Sequence, residues 1–311
     1  MGMGEQIPTL SLRDAADDAF ARALEQAYER FGFVVIADHG IDSASTAACL
    51  AMMQRFFALP ESGRRTYHVE GGGGARGYTP FGIETAKGAI HHDLKEFWHV
   101  GRELPPGHPY RRYMPDNVWV NGIPGFRDAL LSAYEAFDAV GRVLLRAIAR
   151  SLGLDASYFD DKVQLGNSVL RIIHYPPTQN VTSGVRADAH EDINVITLLL
   201  GAEEPGLQIL SREGHWLDIA PAPGSLVCNV GDMLQRLTNN VLRSTTHRVV
   251  NPPRNRAGKA RFSMPFFLHF NPDFVIRTLP ACVTPARPDL YPEPITADEF
   301  LGQRLREIRL L

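Results

Sequence analysis

The chain has 311 residues, 44% hydrophobic and 22% charged, which is ordinary globular composition for one or two domains and excludes a disordered or collagen-like protein. Lys and Arg number 32 against 35 Asp and Glu, a net charge of −3, so the broad basic field that makes nucleic acid a main partner is missing. Cys49, Cys228 and Cys282 are far apart and odd in number; they form neither a disulfide framework nor a thiolate zinc cage, and they fit a reducing, cytoplasmic setting.

The opening residues, MGMGEQIPTLSLRD, have no basic n-region and no apolar h-region, and nowhere do about eighteen apolar residues run together, so neither export nor a membrane span is expected. The initial Met-Gly is not a myristoylation signal, because Gln6 stands where Ser or Thr is needed. From Asp14 to Phe31, Phe20, Ala23, Leu24, Ala27, Tyr28 and Phe31 recur at helical steps, with Gly32 as the C-terminal stop. Phe33-Val34-Val35-Ile36 reads as a short strand, after which Asp42 or Ser43 caps a second helix ending at Phe57. Glu70 to Pro124 is rich in Gly, Pro and His and reads as loops and short strands. A long amphipathic helix, about Phe126 to Leu152, follows and is expected to lie on a sheet. From Ser168 the texture is β: SVLRIIHY, INVITLLL, GLQIL, SLVCNVGDML, STTHRVV and RFSMPFFLHF, spaced as in a sandwich or barrel. The alternate residues Phe262, Met264, Phe266, Leu268 and Phe270 read as core, and Pro265 as the mark of an edge or bulge. Thr296 to Glu299 is a capping box ahead of a last helix carrying Phe300, Leu305 and Ile308.

The chemistry concentrates in the β half. If His190-Glu191-Asp192 starts the strand INVITLLL, His190 and Asp192 share one face, and His247, beside Thr245 and Val249 in STTHRVV, supplies a second imidazole. Two His and one carboxylate without a thiolate suit non-haem iron(II) with open coordination positions. Arg261 and Ser263 form another one-face pair, a planar fork and a hydroxyl fit to hold a carboxylate. Tyr175, just before Pro176-Pro177, adds a phenol to that pocket, whereas Arg171 reads as structural. A second H-x-D, at His91-His92-Asp93, has no such carboxylate-binding pair in step with it and reads as a loop or the lip of a site. Gly72-x-Gly74-x-x-Gly77 matches a dinucleotide fingerprint only formally, since Tyr78-Thr79-Pro80 and not a helix follows.

The order R-x-x-x-Y-P-P, H-x-D, distal H, R-x-S, with GFVVIADHGI near the front, resembles the isopenicillin N synthase-type family of iron(II), 2-oxoglutarate-dependent oxygenases across nearly the whole chain. The resemblance implies a mainly β fold with flanking helices: a double-stranded β-helix (jelly-roll) core at 166–280, an N-terminal helical region at 1–165 and a C-terminal extension at 281–311. It implies His190, Asp192 and His247 as iron ligands, and Arg261 and Ser263, with Tyr175, as the holders of 2-oxoglutarate. Oxygen would be the other co-substrate, and a small molecule the substrate of hydroxylation, desaturation or ring closure. Two departures are a long gap from His247 to Arg261, expected to lengthen a hairpin, and His174-Tyr175 where many plant members have Asn-Tyr. A 2-oxoglutarate-independent oxidase on the same scaffold and a non-catalytic metal-binding jelly roll are the alternatives. Arg76, Tyr78, Phe81, His91 and Trp98 are unranked candidates for the substrate pocket, and a monomer is expected because no apolar seam is visible.

Overall fold

The structure, a computed structural model, describes residues 6–85, 91–178, 183–200, 206–253, 255 and 257–307. In chain order the first half holds β1 (Thr9–Ser11), α1 (Asp18–Phe31), β2 (Phe33–Ala37), α2 (Ser43–Phe57), α3 (Glu61–Arg65), β3 (Gly77–Thr79), β4 (Glu96–Gly101), α4 (Phe126–Ser151) and α5 (Asp160–Val163). The second half holds β5 (Val169–Tyr175), β6 (Ala187–His190), β7 (Ile196–Leu200), β8 (Leu207–Leu210), β9 (Trp216–Asp218), β10 (Leu226–Val230), α6 (Asp232–Leu237), β11 (His247–Val249), β12 (Arg261–Leu268), β13 (Val275–Ile276), β14 (Ile295–Thr296) and α7 (Ala297–Glu307). Eight strands form one sheet in the order β1-β2-β10-β7-β12-β5-β4-β3, and β6-β11-β8-β9 form a second. This is the expected jelly-roll core with flanking helices.

Local chemistry explains the helix ends. The Asp42 carboxylate accepts the Ala44 amide at 3.0 Å and starts α2. At α7 the capping box closes both ways: the Thr296 amide donates to Glu299 Oε2 at 3.0 Å, and the Glu299 amide to Thr296 Oγ1 at 3.2 Å. Ile308 lies outside the described residues. Gly32, which ends α1 at φ 69°, is needed twice over, because a Cβ there would also lie 2.2 Å from Thr245 Oγ1 and 2.6 Å from the Arg243 carbonyl.

The strand registers divide the large sheet into two faces of different chemistry. On the outer face Leu170 and Ile172 of β5, Trp98 and Val100 of β4, Leu198 of β7 and Met264, Phe266 and Leu268 of β12 are buried in one cluster with residues of α1, α2 and α4. Each such side chain contributes roughly 1.5–3 kcal/mol by leaving water, which is why α4 lies along this face. The inner face mixes polar with apolar side chains where the outer is apolar. Across it run Asn229 of β10, Thr197 of β7, Phe267, Ser263 and Arg261 of β12, Tyr175, Ile173, Arg171 and Val169 of β5, then Phe97, His99 and Gly101 of β4.

Two expectations fail here. Pro265 sits in neither an edge strand nor a register-shifting bulge: β12 lies between β7 and β5, opposite Leu199, and keeps one register with each neighbour. The missing N–H is absorbed inside the sheet, where the pairings recorded with β5 skip Met264 and Pro265 and resume at Phe266. The long gap from His247 to Arg261 is not a hairpin either, because β11 pairs with β6 and β8 while β12 pairs with β5 and β7. The chain there crosses from one sheet to the other, which takes more residues than a tight turn.

Candidate active site

β11 pairs antiparallel with β6 so that His247 stands directly opposite His190, and their ring centroids are 4.4 Å apart. Asp192 is not on the strand with His190, as alternation predicts; β6 ends at His190 and the carboxylate lies in the turn that carries the chain across to β7. The turn brings it to the same point: Asp192 Oδ1 is 3.9 Å from His190 Nε2 and 3.8 Å from His247 Nε2. All three donor atoms fall within 4.8 Å of one another, the one such cluster among the described residues.

Each donor is aimed by a second contact. His190 Nδ1 is 2.7 Å from the Asp188 carbonyl and His247 Nδ1 3.1 Å from that of Thr245. A carbonyl only accepts, so Nδ1 carries the proton in both rings and the Nε2 lone pairs face the common centre. Asp192 Oδ2 accepts from Thr197 Oγ1 at 2.6 Å and from Asn229 Nδ2 at 2.8 Å, leaving Oδ1 for an ion. Burial alone would raise the Asp192 pKa, but His247, His190 and these two donors hold it below the ordinary carboxylate value. Burial, and then His190, lower the pKa of His247, keeping it neutral and ready to bind metal. Phe33 packs edge-on against the His247 ring at 5.4 Å. Sequence reasoning missed Thr197 and Asn229; the available signal was a polar residue at an inner position of an otherwise apolar strand. Two imidazoles and one carboxylate, braced and without a thiolate, fit iron(II).

Arg261 faces Tyr175 across the β12–β5 ladder, its guanidinium carbon 4.8 Å from the ring centroid, and Ser263 is two residues on along the same face. All three are buried, on the inner face that also carries Thr197. Arg186, likewise buried, stands 5.7 Å from the Tyr175 ring. His174 projects to the outer face, stacking on Phe262 at 4.8 Å and bonding Glu96 at 2.8 Å through Nδ1, so its replacement of the plant asparagine leaves the Arg261–Tyr175 contact alone.

Beside the three donors opens a cavity of about 790 Å³, lined by the Gly71–Arg76 loop, inner-face residues of β4 and β5, residues 189–194 and one side of α7. Of the five pocket candidates only Arg76 lines it. Tyr78 and Trp98 are opposite each other on the outer face and buried in the helical core, while Phe81 and His91 are exposed. Arg171 lines the cavity, and its contacts are internal ones: it pairs with Glu84 at 3.1 Å and donates through Nε to His99 Nε2 at 2.6 Å. In the second H-x-D, Asp93 pairs with Lys95 at 2.8 Å and accepts the Asp188 amide at 2.9 Å, bracing the backbone just ahead of His190. β3 follows the glycine loop, so the dinucleotide fingerprint fails its context as expected.

Comparison with known proteins agrees with this geometry. Residues 7–122 match the family model for the non-haem dioxygenase in morphine synthesis N-terminal region, and 166–270 that of the 2OG-Fe(II) oxygenase superfamily. The chain is 31% identical over 300 residues to the 2-oxoglutarate-Fe(II) type oxidoreductase hxnY of Emericella nidulans, covering 92% of this chain and 84% of that protein. A 2OG-Fe(II) oxygenase family protein of Caulobacter crescentus has a crystal structure with 55% identity and a TM-score of 0.90, over 97% of this chain and 99% of that one. A Neurospora crassa protein crystallised with alpha-KG and thymine is 28% identical with a TM-score of 0.84, over 98% of each chain. Relatives that hold alpha-KG favour the co-substrate-dependent activity over the oxidase alternative. The chain belongs to the 2OG-Fe(II) oxygenase superfamily and is an iron(II)- and 2-oxoglutarate-dependent dioxygenase.

Proposed function

We propose that His190, Asp192 and His247 hold the iron(II), that Arg261, Ser263 and Tyr175 hold 2-oxoglutarate, and that the adjoining cavity holds a small molecule that is hydroxylated. The observation that carries this is the convergence of the three donor atoms, two of which, on His190 and Asp192, belong to residues lining the cavity. When bound, iron and 2-oxoglutarate together supply the power to oxidise an unactivated carbon; the chain supplies orientation and shelter from water. The Arg261 fork pairs with the distal carboxylate of the co-substrate, Ser263 donates a hydroxyl hydrogen bond, and the Tyr175 ring packs under the guanidinium so that the fork cannot turn away. Thr197 and Asn229 fix Asp192 so that one oxygen only is offered to the ion. Residues 166–280 act as the catalytic core, 1–165 supply the glycine-loop wall of the cavity and 281–311 close it with α7. The working unit is a monomer.

The test is 2-oxoglutarate turnover by the purified protein. Succinate release is expected only with iron(II) present, and the Asp192→Ala and His247→Ala variants are expected to lose it. Oxygen uptake of equal rate without 2-oxoglutarate would refute the co-substrate role given to Arg261 and Ser263, and iron-independent succinate release would refute the triad.

A further inference from the structure

Several of the charges lining the cavity are paired with an opposite charge. Glu84 pairs with Arg171 at 3.1 Å and with Lys95 at 3.1 Å, and Lys95 also pairs with Asp93 at 2.8 Å. On the α7 side, Arg304 pairs with Asp232 at 2.7 Å. Arg76 is different. It is only 3% exposed, yet among the described residues its guanidinium hydrogen-bonds only neutral oxygens, the Ala75 carbonyl at 2.7 Å and Asn167 Oδ1 at 3.2 Å. Its buried Nε has no hydrogen-bond partner, and no carboxylate among the described residues pairs with it. Burial lowers its pKa to about 10, which still leaves it charged at neutral pH.

The guanidinium is also fixed in place. It lies against the backbone of Gly101 at the end of β4, where a Cβ would fall 2.0 Å from the guanidinium carbon, so only glycine there leaves room for it. A second buried orphan lines the same cavity: His269 Nδ1 has no partner, and burial, then the nearby Arg76, push its pKa down to about 4. His269 is therefore neutral, with a ring nitrogen free for a ligand. His269, Arg76 and Asp192 all line this one cavity. A buried cation without a counter-charge is costly unless a ligand supplies one.

We propose that the substrate of this oxygenase is a small-molecule carboxylate, seated with its anion on Arg76 and with Asn167 and His269 beside it. This deepens the function proposed above and rests on it. One uncompensated positive charge calls for a monoanion; a phosphate dianion would leave an unpaired negative charge in the same place. Phe97, Val169 and Phe267 line the cavity between the charged groups and suit an apolar body.

The test titrates the iron-loaded protein, saturated with 2-oxoglutarate under anaerobic conditions, with aromatic and aliphatic monocarboxylates (benzoate, phenylacetate and hexanoate among them) and their primary amides. Binding is read by melting-temperature shift and by ligand-observed NMR. Acids are expected to bind at least tenfold more tightly than the matched amides, with the preference lost in Arg76→Gln and partly kept in Arg76→Lys. Amides that bind as well as acids, a panel in which no acid binds, or an Arg76→Gln protein that keeps the preference would each overturn the proposal. The comparison of acid with amide on the wild-type protein stands even if Arg76→Gln does not fold. Failure of the wild type to bind iron and 2-oxoglutarate, measured first in the same samples, counts against the oxygenase site and not against Arg76.

Discussion

Asn229 and Thr197 are not among the three candidate donors, yet both bond Asp192 Oδ2 and so leave Oδ1 available. Replacing Asn229 by Ala is expected to weaken iron(II) binding about 10–100-fold, measured by competition with a chelator, because partners that orient a ligand matter to affinity almost as ligands do. Unchanged affinity would mean that Thr197 alone holds the carboxylate. Arg261→Ala is expected to weaken 2-oxoglutarate by roughly 2–5 kcal/mol, the loss typical of a buried charge pair with one partner removed, read by calorimetry under anaerobic conditions. At this scale the three candidate ligands that the structure brings together were legible and the residues that brace them were not. His190, Asp192 and His247 stand out because that donor set in order before R-x-S has few other uses, whereas Asn229 meets Asp192 only through the pairing of β10 with β7. Long-range register of that kind is not written in any local window.

Among elements, boundaries set by local chemistry were readable and those set by tertiary contact were not. α2 begins at its Asp42 cap and α7 at its Thr296 box, as the sequence predicts. Asp192 and β12 show the opposite case: the turn after β6, the crossing between β11 and β12 and the central place of Pro265 all follow from which sheet each strand joins. The end of α1 links the two kinds of boundary. Gly32 has both a left-handed backbone and the Arg243–Thr245 segment pressed on it, and Thr245 holds His247 through its carbonyl. Gly32→Ala is expected to cost at least about 2 kcal/mol, since left-handed strain and overpacking each cost roughly 1–3. Denaturant midpoints check the stability, and a parallel loss of iron affinity checks that the strain reaches His247. A stable variant with native iron affinity would show that the segment yields at no cost.

For the molecule as a whole, the buried histidines shape how stability depends on pH. His269 resists protonation until about pH 4 in the folded state, because of burial and then Arg76, against an ordinary value of 6.5. The unfolded chain takes up that proton first, so this contribution is complete above pH 6.5 and is lost as pH falls towards 4. It amounts to something on the order of 3 kcal/mol. His99, held neutral by burial and by Arg171, acts in the same direction. Melting temperature is therefore expected to fall between pH 6.5 and 4, and less steeply in His269→Asn; equal slopes would show that His269 is protonated or solvated in the native state. No helix among the described residues is long and apolar enough to cross a membrane. The two-faced sheet carries a further implication for how such an enzyme can change. Since the ion's supports, the proposed co-substrate anchor and the cavity wall occupy alternate positions on shared strands, inserting or deleting one strand residue would swap wet and greasy sides wholesale. New specificities are thus open to point replacement at every second position, or to remodelling of the glycine loop and terminal helix, and closed to any odd-numbered change in strand length.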